Sequence, residues 1–319
     1  MRPTDFATAL TKFLGEYLPA QRNVSANTVR AYRDAFALVL RYCRDVLGRR
    51  PERLTLDQFD ANFVLKFLQY LESVRASSPA TCNHRLAVLH AFFRYLQAED
   101  PKRLLQCQQI LAIPTQRCVR KAVDYLSVDD LAAILGVPDL STARGRRDAV
   151  LLSVLYDTGA RVQEMIDLSV RDVRIEAPAQ VHLMGKGRKA RVIPLMKATI
   201  DLLVDHKRER RLDGPENLDK PLFCNRRGDR LSRSGVRYIL LKYAEIARRT
   251  RPALPPRITP HTLRHTKAMH LLQAGNPLTT VQAILGHADL RTSDIYARAD
   301  LEMKRRALEK SGTSTVTLS

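Results

Sequence analysis

Residues 261–265 read His-Thr-Leu-Arg-His, residues 285–287 read Leu-Gly-His, and Tyr296 follows nine residues after that last histidine. On a helix, His261 and Arg264 are three positions apart and therefore share one face. A guanidinium can bind two phosphate oxygens, and a histidine can donate to or accept from the same group. A tyrosine hydroxyl can attack phosphorus and hold it as an ester. The stretch therefore indicates a phosphate site with a phenol as nucleophile.

Two upstream segments add further charged side chains to this pattern. The run Thr-Gly-Ala-Arg-Val-Gln-Glu ends at Glu164 and places Arg161 directly after a glycine turn. The run Gly-Lys-Gly-Arg-Lys places Lys186 at the tip of a turn between two short apolar stretches. Since Glu164 shares a helical face with Arg161, its carboxylate could orient an arginine or His265. No second carboxylate accompanies Glu164, so the pattern predicts no metal site.

Together these positions resemble the tyrosine recombinase (integrase) family, in the branch of Xer-type resolvases, phage integrases and transposon-borne recombinases. The resemblance extends from about residue 5 to about residue 310. It implies a site-specific DNA recombinase or integrase that works through a 3′-phosphotyrosyl intermediate, for integration, excision or resolution of a mobile element. The catalytic residues that it implies are Arg161, Lys186, His261, Arg264, His287 and the nucleophile Tyr296.

The resemblance gives the cations separate roles. Arg161 and Arg264 would donate to the scissile phosphate, because a guanidinium is always charged and forks to two oxygens. Lys186 would protonate the leaving 5′-oxygen as a general acid, with Lys189 as a neighbouring alternative. Arg191, on the far side of the same turn, is expected to contact phosphate or to be a solvated charge.

The remaining site residues would act on protons and on orientation. His261 and His287 would hydrogen-bond the phosphate or assist the proton of the tyrosine, although a lone histidine is more often structural. His265 is expected to brace its helix. A free phenol has a pKa near 10, so neighbouring cations must favour the ionised form of Tyr296.

The composition points to a polyanion as partner. The chain has 319 residues and a net charge of +20, and 45% of its residues are hydrophobic. Such a charge favours binding to phosphates, while the hydrophobic content is typical of a globular protein rather than a basic tail. A ribosomal or other non-specific basic protein is the alternative on charge alone. We expect double-stranded DNA as the partner.

Other classes of protein are disfavoured by what the sequence does not contain. Its five cysteines form neither a CxxC pair nor a Cys/His quartet, so we expect neither disulfides nor zinc. The sequence has no signal peptide and no apolar run of about 18 residues, the length that would suggest a membrane span. We therefore expect a cytoplasmic, nucleoid-associated enzyme without cofactor or metal.

Hydrophobic periodicity predicts a mainly α fold with a small β-sheet. The resemblance implies a helical SAM-like core-binding domain followed by a mixed α/β catalytic domain. The predicted domains are residues 1–105, a linker over 106–124, the catalytic domain over 125–312 and a mobile tail over 313–319. Helices are predicted over 4–18, 24–48, 56–73, from 79, from 127, and over 146–157, 162–168, 232–249, 260–273 and 277–286, with two strands within 180–195. The pattern is also helical from 199 to 250, apart from a loop at 213–221.

DNA contacts are harder to predict than the catalytic residues, because most arginines lie on solvated helix faces. The candidates are Arg22, Arg30, Arg33, Asn83, His84, Arg85, Arg188 and Lys189. The aromatic residues of the N-terminal helices are expected in the core rather than stacked on bases. The resemblance also implies a homotetramer on two DNA sites, with sister recombinases as an open possibility.

Two other functions fit parts of the pattern. An accessory recombinase of a multi-protein transposon system would bind DNA without cutting it, although an intact catalytic set argues against this. A type IB topoisomerase uses similar residues, but the length of the chain and the missing N-terminal clamp argue against it.

Overall fold

A computed structural model of the chain describes residues 2–118, 124–185 and 189–286. Across these ranges the protein is mainly helical, with one three-stranded sheet, which confirms the predicted fold class. The chain divides into two compact units, residues 1–120 and 121–319, called here the N-terminal and the C-terminal unit. None of the described helices combines the length and the apolar character needed to cross a membrane.

The described part of the N-terminal unit contains, besides two short 3-10 turns, five α-helices and a π-helical segment. They are α1 Asp5–Lys12, the π-helical segment Phe13–Gln21, α2 Ala26–Asp45, α3 Ala61–Ser73, α4 Pro79–Glu99 and α5 Leu104–Leu111. Side chains cap the starts of α1, α2, α3 and α4, each accepting a hydrogen bond from a backbone N–H in the first turn. The predicted start of α3 at residue 56 was too early, since Asp60 caps the helix.

Aromatic rings fill the core of this unit. Phe13, Phe36 and Phe92 are at most 1% exposed, and the ring centroids of Phe36 and Phe92 lie 5.2 Å apart at an interplanar angle of 73°. Edge-to-face contacts of this kind stabilise aromatic pairs beyond the area that they bury. The prediction that these rings are core residues is confirmed.

Helix α5 corrects the predicted linker. Its Cys107 and Ile110 are completely buried in the core of the N-terminal unit, and the imidazole Nε2 of His90 lies 3.0 Å from the Ile110 carbonyl oxygen. The side-chain amide of Gln106 donates to the Phe59 carbonyl at 3.2 Å. The linker prediction therefore began too early, because the glutamines of this stretch suggested solvent exposure.

The C-terminal unit contains helices and one small sheet. Its elements are α6 Val128–Leu135, α7 Ala143–Thr158, α8 Val162–Asp167, β1 Val173–Arg174, β2 Gln180–Met184, β3 Ala190–Pro194, α9 Lys197–Glu209, α10 Arg233–Arg248, α11 Pro260–Gln273 and α12 Leu278–Leu285. Helix α11 has the predicted bounds, since Thr259 caps it and proline occupies its first position.

The sheet is antiparallel in the order β1-β2-β3. Val181 pairs with Ile193 and Leu183 pairs with Arg191 across β2 and β3. Directly opposed residues share a face, so Arg191 lies on the same face as the buried Val181, Leu183 and Ile193. The two long strands agree with the sequence prediction, whereas β1, with only two residues, was not predicted.

Candidate active site

A glycine turn at the end of α7 positions Arg161. Gly159 has a φ of 55°, and a Cβ there would lie 2.5 Å from the Leu285 Cδ2 atom. Glycine is therefore needed both for the backbone conformation and for the close approach of α12. Two residues later, Arg161 occupies the N-cap of α8, with its side chain 35% exposed.

Arg264 is buried where α11 and α12 meet this turn. It is 4% exposed, and its two terminal nitrogens donate to the carbonyl oxygens of Gly159 and Leu285, each at 2.6 Å. A buried charge is tolerated only with hydrogen-bonding partners. These contacts fix the guanidinium and join the end of α7 to the end of α12.

Three arginines converge on the carboxyl end of α12. Arg191 donates through Nε to the Ile284 carbonyl at 2.9 Å, Arg264 donates to Leu285, and Arg161 donates through Nη2 to the Gly286 carbonyl at 3.3 Å. The last carbonyls of a helix lack partners within the helix and carry the negative end of its dipole. The three cations therefore cap this end from three separate elements.

Glu164 completes this group, which we call the α12-end cluster: Arg161, Glu164, Arg191 and Arg264. Glu164 is 6% exposed and accepts from the Arg161 backbone N–H at 2.8 Å and from Arg161 Nη1 at 2.9 Å. Arg191 binds both of its oxygens, at 3.1 and 2.7 Å. Burial alone would raise the pKa of Glu164, but the hydrogen bonds from Arg191 and Arg161 outweigh it and lower the pKa. The carboxylate is therefore ionised.

Replacing Glu164 by alanine is expected to destabilise the protein strongly, because two arginines lose their shared buried partner. Breaking a buried ion pair from one side typically costs about 3–5 kcal/mol. At about 2–4 °C per kcal/mol, the thermal midpoint should fall by roughly 6–20 °C. Calorimetry on the full chain measures this change.

Glu209→Ala is the matched control for that experiment. Glu209 also binds an arginine, Arg146, but their side chains are 29% and 33% exposed. A pair this exposed contributes about 1 kcal/mol or less. Equal losses in the two variants would contradict the buried bridge at Glu164.

Two histidines of α11 lie beside the cluster. The ring centroids of His261 and His265 are 6.4 Å apart. Desolvation by the surrounding protein, followed by the charges of Arg264 and Arg161, lowers the pKa of His261. Burial lowers the pKa of His265 to about 4, with smaller contributions from His261 and Arg264. Both rings are therefore neutral at pH 7, and each can donate through one nitrogen and accept through the other.

The lowered pKa of His265 predicts a loss of stability in mild acid. Between about pH 6.5 and pH 4 the unfolded chain binds this proton and the folded chain does not, so stability falls as the pH falls through this window. Between pH 7 and pH 5, His265 alone is expected to lower the free energy of unfolding by about 2 kcal/mol. Thermal midpoints measured across this range should decline less steeply for His265→Asn than for the wild type.

His182→Asn is the control for this pH dependence, because His182 is exposed on β2. Its midpoints should decline as steeply as those of the wild type. A wild-type slope in His265→Asn would show that His265 does not titrate as described.

The structure describes only part of the predicted catalytic set. It brings together Arg161, Arg264 and His261, with Glu164 and His265 beside them. Lys189 is exposed just before β3. The predictions for Lys186, Arg188, His287 and Tyr296 concern residues outside the described ranges, as does the predicted tail.

The sequence-based prediction for Arg191 was wrong about its surroundings. Its side chain is 10% exposed and binds Glu164 and Ile284, so it is neither a solvated charge nor, in this structure, an exposed phosphate contact. The alternation of β3 carried the signal, because it places Arg191 on the buried face together with Ile193.

The candidate DNA contacts of the N-terminal unit differ in their surroundings. Arg22, Arg30, Arg33 and His84 are exposed. The side-chain amide of Asn83 binds the backbone of Gln116, donating at 2.8 Å and accepting at 2.9 Å. These hydrogen bonds are made within the protein rather than directed to solvent. The Nε of Arg85 is buried without a hydrogen-bond partner among the described residues.

No group of three or more His, Cys, Asp or Glu side chains is placed to hold a metal ion within the described parts of the chain. Among the described residues, the site contains arginines, histidines and one carboxylate. Such a set can bind and polarise a phosphate by hydrogen bonds and charge.

Comparison with known proteins agrees with this geometry. Residues 124–303 match the phage integrase family, and residues 10–100 match the N-terminal SAM-like domain of phage integrases. The chain is 39% identical over 306 residues to y4rC of Sinorhizobium fredii, which carries a provisional integrase/recombinase designation; the match covers 95% of this chain and 91% of y4rC.

Two further similarities support the same assignment. Tyrosine recombinase XerD of Listeria monocytogenes is 33% identical over 282 residues, which cover 88% of this chain and 90% of XerD. The crystal structure of the XerH site-specific recombinase bound to difH has a TM-score of 0.69 at 23% identity, over 90% of this chain and 81% of that chain. At this identity, the structural likeness supports the fold alone. From the family and sequence matches, the chain belongs to the phage integrase (tyrosine recombinase) family of site-specific DNA recombinases.

Proposed function

We propose that this recombinase cuts and rejoins DNA with Arg161, Lys186, His261, Arg264, His287 and Tyr296. The observation that carries the proposal is the placement of Arg161 and Arg264 at the end of α12, whose C-cap Gly286 lies one residue before His287 and ten before Tyr296. Two guanidinium groups at one point form a site for a phosphodiester, whose single negative charge is shared by two non-bridging oxygens.

The chemistry follows from these groups. The phenol of Tyr296 gives its proton to a neighbouring base, for which His261 and His287 are the candidates; its oxygen attacks phosphorus, and the bond from phosphorus to the 5′-oxygen breaks. Lys186 gives its proton to that oxygen, which leaves as a 5′-hydroxyl, while the 3′-phosphate stays on the tyrosine. A 5′-hydroxyl from a second strand reverses the step, so rejoining needs no ATP.

The arginines would act by preorganisation. Because Arg264 is fixed by two carbonyls and Arg161 by Glu164, neither has to be reoriented when charge develops on the phosphate oxygens. The neutral His261 can donate to the same oxygens or accept the proton of the phenol. The two roles of this histidine remain alternatives within the proposal.

We also propose that the N-terminal unit binds the duplex through exposed basic residues, with a homotetramer on two DNA sites, either alone or with sister recombinases. The net charge of +20 supports a DNA partner. So do the structural neighbours: XerH is bound to difH, and the Tn1549 transposon integrase is in complex with a circular-intermediate DNA.

Covalent capture in cells tests this proposal. The protein is recovered under denaturing conditions without crosslinker, and the DNA that remains attached is sequenced. DNA clustered at defined sites, linked to a peptide that contains Tyr296, is the expected result. Absence of attached DNA, in a protein that still binds DNA sequence-specifically, would contradict the proposal and favour an accessory recombinase.

A further inference from the structure

Arg191 uses its side-chain nitrogens to connect three elements of the C-terminal unit. From β3, its Nε donates to the Ile284 carbonyl at the end of α12 at 2.9 Å. Its Nη1 and Nη2 bind the two oxygens of Glu164, in the first turn of α8, at 3.1 and 2.7 Å. A planar guanidinium can make this pair of parallel bonds and still donate through Nε, whereas a lysine cannot.

Two glycines lie against the same guanidinium and give it room. A Cβ on Gly286, whose φ is 64°, would lie 3.0 Å from both Cδ and Nη1 of Arg191. A Cβ on Gly185 would lie 3.5 Å from Glu164 Oε1 and 3.6 Å from Arg191 Nη1. Gly185 immediately precedes Lys186 in the sequence, and Gly286 immediately precedes His287. Arg191 thus contacts both segments from which the remaining catalytic residues extend.

We propose that Arg191 is a positioning residue for strand cleavage, which holds Arg161 through Glu164 and fixes the end of α12 through the Ile284 carbonyl. The inference rests on the proposed function, because it concerns the alignment of that site. Arg191 itself need not touch DNA.

The position of Arg161 depends on which donors satisfy the buried carboxylate of Glu164. Glu164 is 6% exposed, so both of its oxygens require donors from the protein. Arg191 supplies a donor to each oxygen, which leaves Arg161 Nη1 bound to one oxygen and Arg161 Nη2 directed to the Gly286 carbonyl. Without Arg191, Glu164 would draw Arg161 into a two-pronged bridge and turn its donors away from a phosphate.

The effect on α12 follows from the lack of helical partners for its last carbonyl groups. The helix ends too soon to offer the Ile284 carbonyl a backbone N–H. The guanidinium of Arg191 donates to this carbonyl instead. Loss of this charge-assisted bond should increase local opening of the final turn, where the Gly286 N–H binds the Gln282 carbonyl at 2.8 Å.

The first part of the test needs no DNA. Hydrogen exchange is measured on the full chain for the wild type, Arg191→Met and Arg191→Lys. In both variants the amides of Leu285 and Gly286 should exchange at least about tenfold faster, while those of α7 keep the wild-type rate. Wild-type exchange at these two amides in Arg191→Met would overturn the inference, whether or not the protein cuts DNA.

Arg230→Met is the matched control. Arg230 also donates to the carbonyls at the end of a helix, those of Ile166, Asp167 and Leu168. The hydrogen bonds of Arg230 to these carbonyls involve neither α12 nor Glu164. The exchange of Leu285 and Gly286 should stay at the wild-type rate in this variant.

The second part measures cleavage of a duplex whose sequence is recovered by covalent capture with the wild type. At saturating DNA, Arg191→Met should form adduct about 100-fold more slowly, the loss expected for a small misplacement of catalytic groups. DNA affinity should stay within about threefold, since the side chain does not bind phosphate. Arg191→Lys should not restore the rate, because it keeps the charge and loses the fork.

Other results would separate the alternatives. A parallel loss of affinity and rate, with a smaller salt dependence of binding, would show a direct phosphate contact and overturn the inference. A wild-type rate in Arg191→Lys would show that charge alone is enough, and would also overturn it. If the wild type formed no adduct, the proposed function would fail, and hydrogen exchange would still decide the structural claim.

A second variant covers the case in which Arg191→Met does not fold. Glu164→Gln combined with Arg191→Met removes both charges, and neutral replacements of a buried pair are often tolerated. Folding of the double variant is checked by circular dichroism. We expect it to fold and to cleave about 100-fold more slowly than the wild type. A wild-type rate in the double variant would overturn the inference.

Discussion

Tyr296→Phe is expected to form no covalent adduct with DNA. The variant loses only the phenolic oxygen, so no atom remains at this position to displace the 5′-oxygen and hold the phosphate. Adduct formation should fall by at least about 10⁴-fold, as when other enzymes lose their nucleophile. DNA binding should stay at the wild-type level, because the ring and the surrounding charges are unchanged. The measurement compares denaturing gels and binding isotherms on the captured duplex.

Tyr238→Phe is the control for the loss of a tyrosine hydroxyl. Tyr238 is 70% exposed on α10, and its variant should form adduct at the wild-type rate. Adduct that persists in Tyr296→Phe would identify another of the ten tyrosines as the nucleophile.

Arg264→Met is expected to have the second-largest effect, and it should reduce both cleavage and stability. Removal of a preorganised donor to a developing oxyanion typically lowers the rate by about 10²–10³-fold. The same change leaves the buried carbonyls of Gly159 and Leu285 without the donor described here. Each unsatisfied group costs about 1–3 kcal/mol, so the thermal midpoint should fall by several degrees.

Arg264→Lys and Arg251→Met separate the two effects. The lysine variant keeps the charge but cannot reach both carbonyls with the same planar fork, so it should remain slow in cleavage. Arg251 binds Asp130 on the surface and is 41% exposed; Arg251→Met should change cleavage little. A normal cleavage rate in Arg264→Met, measured well below its thermal midpoint, would rule out the catalytic role of Arg264.

The local chemistry of the chain was sufficient to predict much of the fold. Thr259 and Pro260 mark the start of α11, and Gly159 marks the end of α7, because caps and glycines act within one turn of backbone. The spacing of Arg161 and Glu164 likewise predicted that Glu164 would orient an arginine or His265, and Glu164 binds Arg161, since residues three apart meet on a helix.

Features that depend on distant partners could not be predicted in this way. Arg191 follows Glu164 by 27 residues, and their bridge depends on how the sheet packs against α8. The amide of Gln106 suggests solvent exposure when only its neighbours are considered, but it binds the backbone of Phe59 47 residues away. The convergence of three arginines on one helix end is equally a result of tertiary packing.

The capped end of α12 also limits how far the proposed nucleophile, Tyr296, can reach. Since guanidinium groups from three elements hold the carbonyls of residues 284–286, Gly286 is an anchored point of the C-terminal unit. Tyr296 is ten residues further along the chain. Ten residues span at most about 33–36 Å when fully extended. Any phosphate that Tyr296 attacks must therefore lie within about that radius of the anchor, plus the length of the tyrosine side chain.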